Sequence, residues 1–258
     1  MEKEKKRTYQ APALVKGLEI LELLAEARMP LSLTQITERL GKGKGELFRM
    51  AAVLEDKGYL AKKEGSDNLN LTSKLFELGI SVPPIGTLIE AAFPIMHKLS
   101  MTIMQACHIA VPNKDTMVVI ASIESPSNVG MSVKSGHVMK LYESGSGLLF
   151  LSKMSEEQRN EMYLSFHKLN EHFDEKKCKL SIEKIINKGN ARVDSPITNC
   201  LVDISFPILL PETDHVVACI TVPFLKGSNT VMTIIEAEKY VKKAAEELSE
   251  LSRSYAGF

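Results

Sequence analysis

Apolar residues along the first eighty positions recur with helical spacing and then shift to the alternation of strands. Leu14, Leu18, Leu21 and Leu24 follow one another at steps of four, three and three, which predicts an amphipathic helix ended by Pro30. Ser32 with Gln35 three residues later is a capping-box signature, and Leu33, Ile36 and Leu40 give this second helix its apolar face. Gly41-Lys42-Gly43 predicts a turn in which both glycines can take left-handed backbone angles. A third helix places Leu47, Met50, Ala51 and Leu54 inward and is ended by Gly58. Tyr59 to Lys63, a polar turn over residues 64–68 and Leu69-Asn70-Leu71 read as a two-stranded hairpin. Helix, helix, glycine turn, helix, hairpin is the order of a winged helix-turn-helix.

Beyond the prolines of Ile80-Ser81-Val82-Pro83-Pro84-Ile85-Gly86, where we place the domain boundary, the pattern changes. A helix over 87–105 carries Leu88, Ala92, Ile95, Met96 and Leu99. Cys107 to Val111 and Met117 to Ile123 predict one hairpin, and Val129 to Val133 with Val138 to Leu141 another. Helical patterns cover 145–153, 155–167 and 174–188, with Gly189 as the stop. Strands return at Val202 to Leu209 and Val216 to Pro223 across a Pro211–Asp214 turn, and a last helix runs from Ile234 to Leu251. Helices on an antiparallel sheet make this half α+β.

Composition narrows the function. The 258 residues hold 32 Lys and Arg against 32 Asp and Glu, which excludes a polycation that binds phosphate by bulk attraction. A hydrophobic content of 44% is enough for a packed core and excludes an acidic disordered activator. Cys107, Cys178, Cys200 and Cys219 form no Cys-x-x-Cys pair, so neither a zinc ribbon nor a disulfide framework is expected. Met1 to Arg7 is a charged run without an apolar stretch behind it, and no segment reaches the roughly 18 apolar residues of a membrane span. A cytoplasmic protein without secretory signal or membrane contact is the expectation.

Splitting the charge is more informative than the total. Residues 1–80 hold 14 basic against 12 acidic side chains, so the remainder carries the matching acidic excess. Over residues 39–49, Arg39, Lys42, Lys44 and Arg49 face Glu46 alone. A helix-turn-helix lays its second helix in the major groove, with cations flanking the phosphates. Lys42 and Lys44 at the helix start suit a phosphate, Arg49 suits guanine or a phosphate, and Lys62 and Lys63 on the wing suit the adjacent backbone. Glu46 repels phosphate unless it accepts a hydrogen bond from cytosine.

The other half offers little enzyme chemistry. Cys107 and His108 are neighbours on a strand and point to opposite faces, so they make no dyad. His167 and His172 are five apart and match no zinc signature, and Gly145 and Gly147 lack the Lys-Ser/Thr of a phosphate loop. We expect no enzyme, metal or cofactor. Asp203 stands out on an apolar strand: it faces water, pairs with Arg192, or awaits a polar ligand.

Val15-Lys16-Gly17-Leu18-Glu19-Ile20-Leu21, Leu31-Ser32-Leu33-Thr34-Gln35-Ile36, Leu47-Phe48-Arg49-Met50 and Leu54-Glu55-Asp56-Lys57-Gly58-Tyr59 resemble the DNA-binding half of IclR-type transcriptional regulators. Asn70-Leu71 through Leu75-Phe76-Glu77-Leu78-Gly79 resembles that family's wing strand and linker helix. The likeness spans nearly the whole chain and is strongest over residues 12–79. Gly45 and Glu46 depart from it, standing where the family usually has Ser or Thr; Arg49 matches the family's arginine. In the second half, Gly136, Leu141-Tyr142 and Ser144-Gly145-Ser146-Gly147 through Ser152 fill the motif of a GAF-like effector domain, with Tyr142 for a His. Gly189 and Arg192, Asp203 through Ile208 and Cys219 through Pro223 match strand motifs of that domain.

The resemblance implies a winged helix-turn-helix at 8–72, a linker helix and hinge at 73–85 and an effector-binding, oligomerising domain at 86–258. The DNA-contact set is then Thr34, Gln35, Lys42, Lys44, Glu46, Arg49, Lys62 and Lys63, and Leu141, Gly147, Asp203, Cys219 and Thr221 would line the effector pocket. The implied partners are a double-stranded DNA operator, a small-molecule effector and further copies of the chain as homodimer or homotetramer. The alternative is a ligand-independent wing protein whose second half serves only assembly.

Overall fold

The computed structural model describes residues 11–63, 65–80, 85–195, 198–210, 215–227 and 230–255. Pro83-Pro84 and the Pro211–Asp214 turn lie outside the described residues. The chain divides between Val82 and Pro83 into two compact units.

The first unit is α1 (Pro12–Ala27), α2 (Leu33–Leu40), α3 (Lys44–Asp56), the hairpin β1 (Leu60–Lys62) and β2 (Leu69–Leu71), and α4 (Lys74–Ile80). Ser32 caps α2 as the sequence predicts: its Oγ accepts from the Gln35 N–H at 3.2 Å and Gln35 Oε1 accepts from the Ser32 N–H at 2.9 Å. Such a cap stabilises a helix start by about 1 kcal/mol. Gly41 closes α2 at φ +63°, but Gly43 has extended backbone at φ −64° and starts α3 instead. Ile20, Leu21, Leu24, Leu31, Ile36, Leu47, Ala51, Leu60 and Leu69 form the core.

The α1 stripe differs from expectation, because Leu14 and Leu18 are exposed. The buried residues of α1 are Ile20 with the expected Leu21 and Leu24, and Lys16 is half-buried on the same side. Lys16 and Glu19 reach α3 and the turn before it through ion pairs.

The second unit is a six-stranded antiparallel sheet with helices on both faces. Its elements are α5 (Ile85–Ile103), β3 (Cys107–Asn113), β4 (Thr116–Ile123), β5 (Val138–Lys140), a 3₁₀ turn (Leu141–Glu143), α6 (Gly145–Ser152), α7 (Glu156–Leu169), α8 (Glu175–Lys188), β6 (Ala191–Asp194), β7 (Leu201–Leu209), β8 (Val216–Leu225) and α9 (Ile234–Tyr255). The strand order is β5-β4-β3-β8-β7-β6. Alternation sorts the side chains: Ile109, Ile204, Ile208, Ile220 and Val222 face α5 and α9, whereas Ala110 and Cys219 face α6, α7 and α8. The chain is α+β, as the pattern predicts.

One expected strand is missing. Val129 to Val133 has no strand structure, and β5 pairs with β4 instead, Val118 opposite Val138 and Thr116 opposite Lys140. Val138 is exposed and β5 is the sheet edge, so no second strand is needed to bury it. The freed segment forms part of a cavity wall.

Candidate DNA-binding face and effector cavity

In the first unit α3 presents Lys44, Gly45, Phe48 and Arg49 to solvent, while Leu47 and Ala51 anchor its other side. Neither Lys44 nor Arg49 makes an ion pair to a described residue. Of the other cations of the sequence reading, two are engaged. Lys42 is bound to Glu19 of α1, and Lys62 lies 3.5 Å from Asp67 across the hairpin turn. Lys63 is exposed beyond β1. Thr34 is exposed at the start of α2, and Gln35 beside it spends its side-chain carbonyl on the capping box.

Glu46 is the acid on this face, and Lys16 of α1 binds it. That hydrogen bond, with further help from Arg49 and Lys42, holds the Glu46 carboxyl below the usual carboxylate range. The charge is therefore present and matched by a neighbour rather than left for phosphate to meet. Phe48, 60% exposed beside Arg49, was absent from the sequence-predicted set. An aromatic side chain at i+4 from Lys44 on a helix whose core positions are already filled was the signal for it.

In the second unit a cavity of ≈ 280 Å³ lies on the α6 side of the sheet, walled by β3, β7, β8, the start of α6 and the Met131–Met139 segment. Two residues of the expected effector set line it, Asp203 and Thr221. Their placement follows from register: Ser205 lies opposite Thr221 and Asp203 opposite Pro223, so all four share one face. The Ser205 and Thr221 hydroxyls are 2.8 Å apart.

Leu141, Gly147 and Cys219 stand behind the wall. Leu141 and Cys219 are fully buried in the apolar cluster under α6. The Cys219 thiol, pushed up to about 12 by burial, donates to the Ser146 carbonyl at 3.6 Å. Gly147 is there for space: a Cβ on it would lie 2.2 Å from the Leu141 carbonyl oxygen. These three residues hold α6 close to the sheet and so shape the cavity.

Asp203 does not pair with Arg192. Register sets Val193 opposite Asp203, so Arg192 points to the other face, where its Nη1 is 3.3 Å from Glu238 of α9. Burial raises the Asp203 pKa to about 6, with the Gly145 backbone N–H pulling the other way. His108, another cavity residue outside the expected set, is 3% exposed and its Nδ1 has no hydrogen-bond partner. Burial, helped by His137, lowers its pKa to about 4. A polar residue inside the apolar run Cys107 to Val111 was its sequence signal, the same kind that marks Asp203. Cys107 points to the opposite sheet face and donates to the Met96 carbonyl, so the two neighbours are separated by the sheet. Ser144 and Ser146 at the start of α6 are also in the wall.

Among the described residues no helix is long and apolar enough to cross a membrane. Two family models match the chain: the IclR helix-turn-helix domain over residues 13–64 and the C-terminal domain of the bacterial transcriptional regulator IclR over residues 86–250. The HTH-type transcriptional regulator KdgR of Escherichia coli is 29% identical over 147 residues, 57% of this chain and 56% of that protein. The acetate operon repressor of Salmonella typhimurium is 25% identical over 153 residues, 58% of this chain and 56% of that protein. The chain thus matches little more than half the length of these relatives. Among solved structures, an IclR homolog from Microbacterium hydrocarbonoxydans complexed with 4-hydroxybenzoate superposes with TM-score 0.79 at 16% identity, covering 94% of this chain and 99% of that one. The Thermotoga maritima IclR superposes with TM-score 0.68 at 21% identity, covering 93% and 98%. At such identities the likeness to solved structures concerns the fold. The family models carry the assignment: this chain belongs to the IclR family, a family of transcriptional regulators rather than of enzymes.

Proposed function

We propose that the chain is a sequence-specific DNA-binding transcriptional regulator whose operator affinity is modulated by a small molecule bound in the cavity beside α6. One observation carries the DNA reading: Lys44 and Arg49 project unpaired, among the described residues, from the exposed face of α3, while Lys16 neutralises the acid between them. In the major groove Arg49 reads guanine, Phe48 packs on a thymine methyl, and Lys44 meets phosphate at the helix start. Thr34 and Gln35 on α2 and Lys62 and Lys63 on the wing contact the flanking backbone. Lys42 contributes less, because Glu19 already holds its charge.

A single wing unit reads too few base pairs for specificity, so the active species is a homodimer or homotetramer on half-sites about one helical turn apart. The effector reading rests on the cavity itself, a partly open site lined by Asp203, His108 and Thr221 in which His108 Nδ1 has no hydrogen-bond partner. The 4-hydroxybenzoate named with the Microbacterium homolog supports small molecules as effectors of this fold. Selection of bound duplexes from a random library tests the proposal. The full chain should enrich a pseudo-palindromic site and the Arg49→Ala variant should not; no enrichment by the full chain overturns it.

A further inference from the structure

The cavity beside α6 carries acids without a strong base. Asp203 and Glu143 are carboxylates in its wall, and no described Lys or Arg lines it. The other titratable wall groups are His108 and His137. His108 is neutral near pH 7, its pKa pushed down to about 4 by burial and by His137, so it supplies a lone pair or an N–H but no charge. Of the nearby cations, Lys140 lies over the Tyr142 ring, 5.7 Å from its centroid, Arg192 is on the opposite sheet face with Glu238, and Lys134, exposed in the Met131–Met139 segment, is not among the residues that line the cavity.

The end of α6 that would ordinarily attract an anion is already occupied by one. A Cβ built on Gly145 would come 2.9 Å from Asp203 Cβ, so the carboxylate sits against the first turn of α6. The Gly145 N–H is directed to it and opposes the rise in its pKa. An arriving carboxylate meets a like charge here, in a poorly solvated site, with no cation to offset it. A ligand cation meets the reverse: a carboxylate already partly desolvated by folding, with lone pairs to spare.

Resting on the reading of this cavity as the effector site, we infer that its effector is a small organic cation, a primary ammonium on a short apolar body. The ammonium donates to the Asp203 carboxylate and to the Nδ1 lone pair of His108 in its Nε2-protonated form, which satisfies the buried atom left without a partner. Its third N–H reaches the Thr221 or Ser144 hydroxyl. Val133, Met139, Leu201 and Pro223 supply the apolar wall for the body, and a volume of ≈ 280 Å³ keeps the ligand small.

Thermal-shift titrations of the full chain near pH 7.5, where Asp203 is ionised, compare benzylamine and n-butylamine with benzoate and 4-hydroxybenzoate. The amines should stabilise the wild type in proportion to concentration, and the two carboxylates should not. Asp203→Asn keeps the size of the side chain and should weaken amine binding by at least about 30-fold, the scale for removing one partner of a buried charge pair. His108→Gln should weaken it less. Carboxylates that stabilise the wild type but not the His108→Gln variant would overturn the cation and leave the cavity as the effector site. A ligand whose effect is indifferent to both substitutions would overturn the cavity reading as well. No shift with any of the four would overturn the cation inference, and the DNA selection would still stand as a separate test.

Discussion

Lys16 of α1 holds Glu46 of α3 in an ion pair, across thirty positions of sequence, and so matches the acid that lies between Lys44 and Arg49 on α3. Without that pair, Glu46 would stand as an uncompensated anion facing phosphate. With it, an acidic residue is compatible with the proposed approach of α3 to DNA.

Replacing Lys16 with Met should therefore weaken DNA binding although Lys16 itself lies off the α3 face. The expected loss is roughly threefold to tenfold at low salt and smaller at high salt, because the exposed charge is screened. Restoring neutrality with the Lys16→Met, Glu46→Gln double variant should recover most of it. Fluorescence anisotropy on a fixed duplex reads both, and an additive double variant would show that the pair has no role in docking.

Arg49 and Lys42 are both cations of the helix-turn-helix, but only Lys42 is bound to an acid, Glu19. Arg49→Ala should lower affinity by about 1–3 kcal/mol if it reads a base, and should reduce the salt slope by about one if it clamps a phosphate. Lys42→Ala should do less than Arg49→Ala on both counts. Affinity measured across a salt series separates them, and equal losses would mean that the Glu19 contact opens on DNA.

Asp203 makes stability depend on pH in an unusual direction for a carboxylate. Its pKa rises from the ordinary 3.8 to about 6 on folding, so between these values the folded chain holds a proton that the unfolded chain has lost. The stabilisation is complete below about pH 4 and disappears as pH climbs through 6, a change on the order of 2–3 kcal/mol. Asp203→Asn should thus melt higher than wild type above pH 6, with the gap closing toward pH 4. Calorimetry of both proteins over that range is the measurement; a gap independent of pH would be evidence against a half-buried carboxylate without a cation partner.

Gly147→Ala would drive a methyl group to 2.2 Å from the Leu141 carbonyl and 2.5 Å from its Cα, both backbone atoms that cannot swing aside. A destabilisation of about 1–3 kcal/mol is expected, the usual scale for overpacking, and it should fall on the second unit. Denaturant unfolding would show it there, while DNA binding at low denaturant should survive. A neutral substitution would mean that α6 moves off the sheet at little cost.

Much of this was readable in the amino-acid order wherever the information is local. The capping box of Ser32 and Gln35 needs only its own four residues, and it formed as expected. The turn at Gly41 and the strand at Cys107 to Val111 were equally legible. The α1 stripe was legible in part: Leu21 and Leu24 are buried as expected, whereas Leu14 and Leu18 are exposed. Which side is buried depended on the core residues of α2, α3 and the hairpin against which Ile20, Leu21 and Leu24 pack. Val129 to Val133 has strand composition but pairs with no strand, and β5 remains the sheet edge.

The order of residues determined the α+β class, the helix-turn-helix order and the polar intruders Asp203 and His108 on apolar strands, since period, capping and alternation act over a few residues. Tertiary structure alone decided what those intruders meet. It sent Arg192 to the far face, put Gly145 against Asp203 and left His108 Nδ1 without a partner. It also set Leu141, Gly147 and Cys219 behind the cavity and tied Glu46 to Lys16. The reason is physical: a side chain's charge and hydrogen bonds are satisfied by whatever lies within a few ångströms, and those neighbours come from strands and helices tens of residues away, in a register that packing selects.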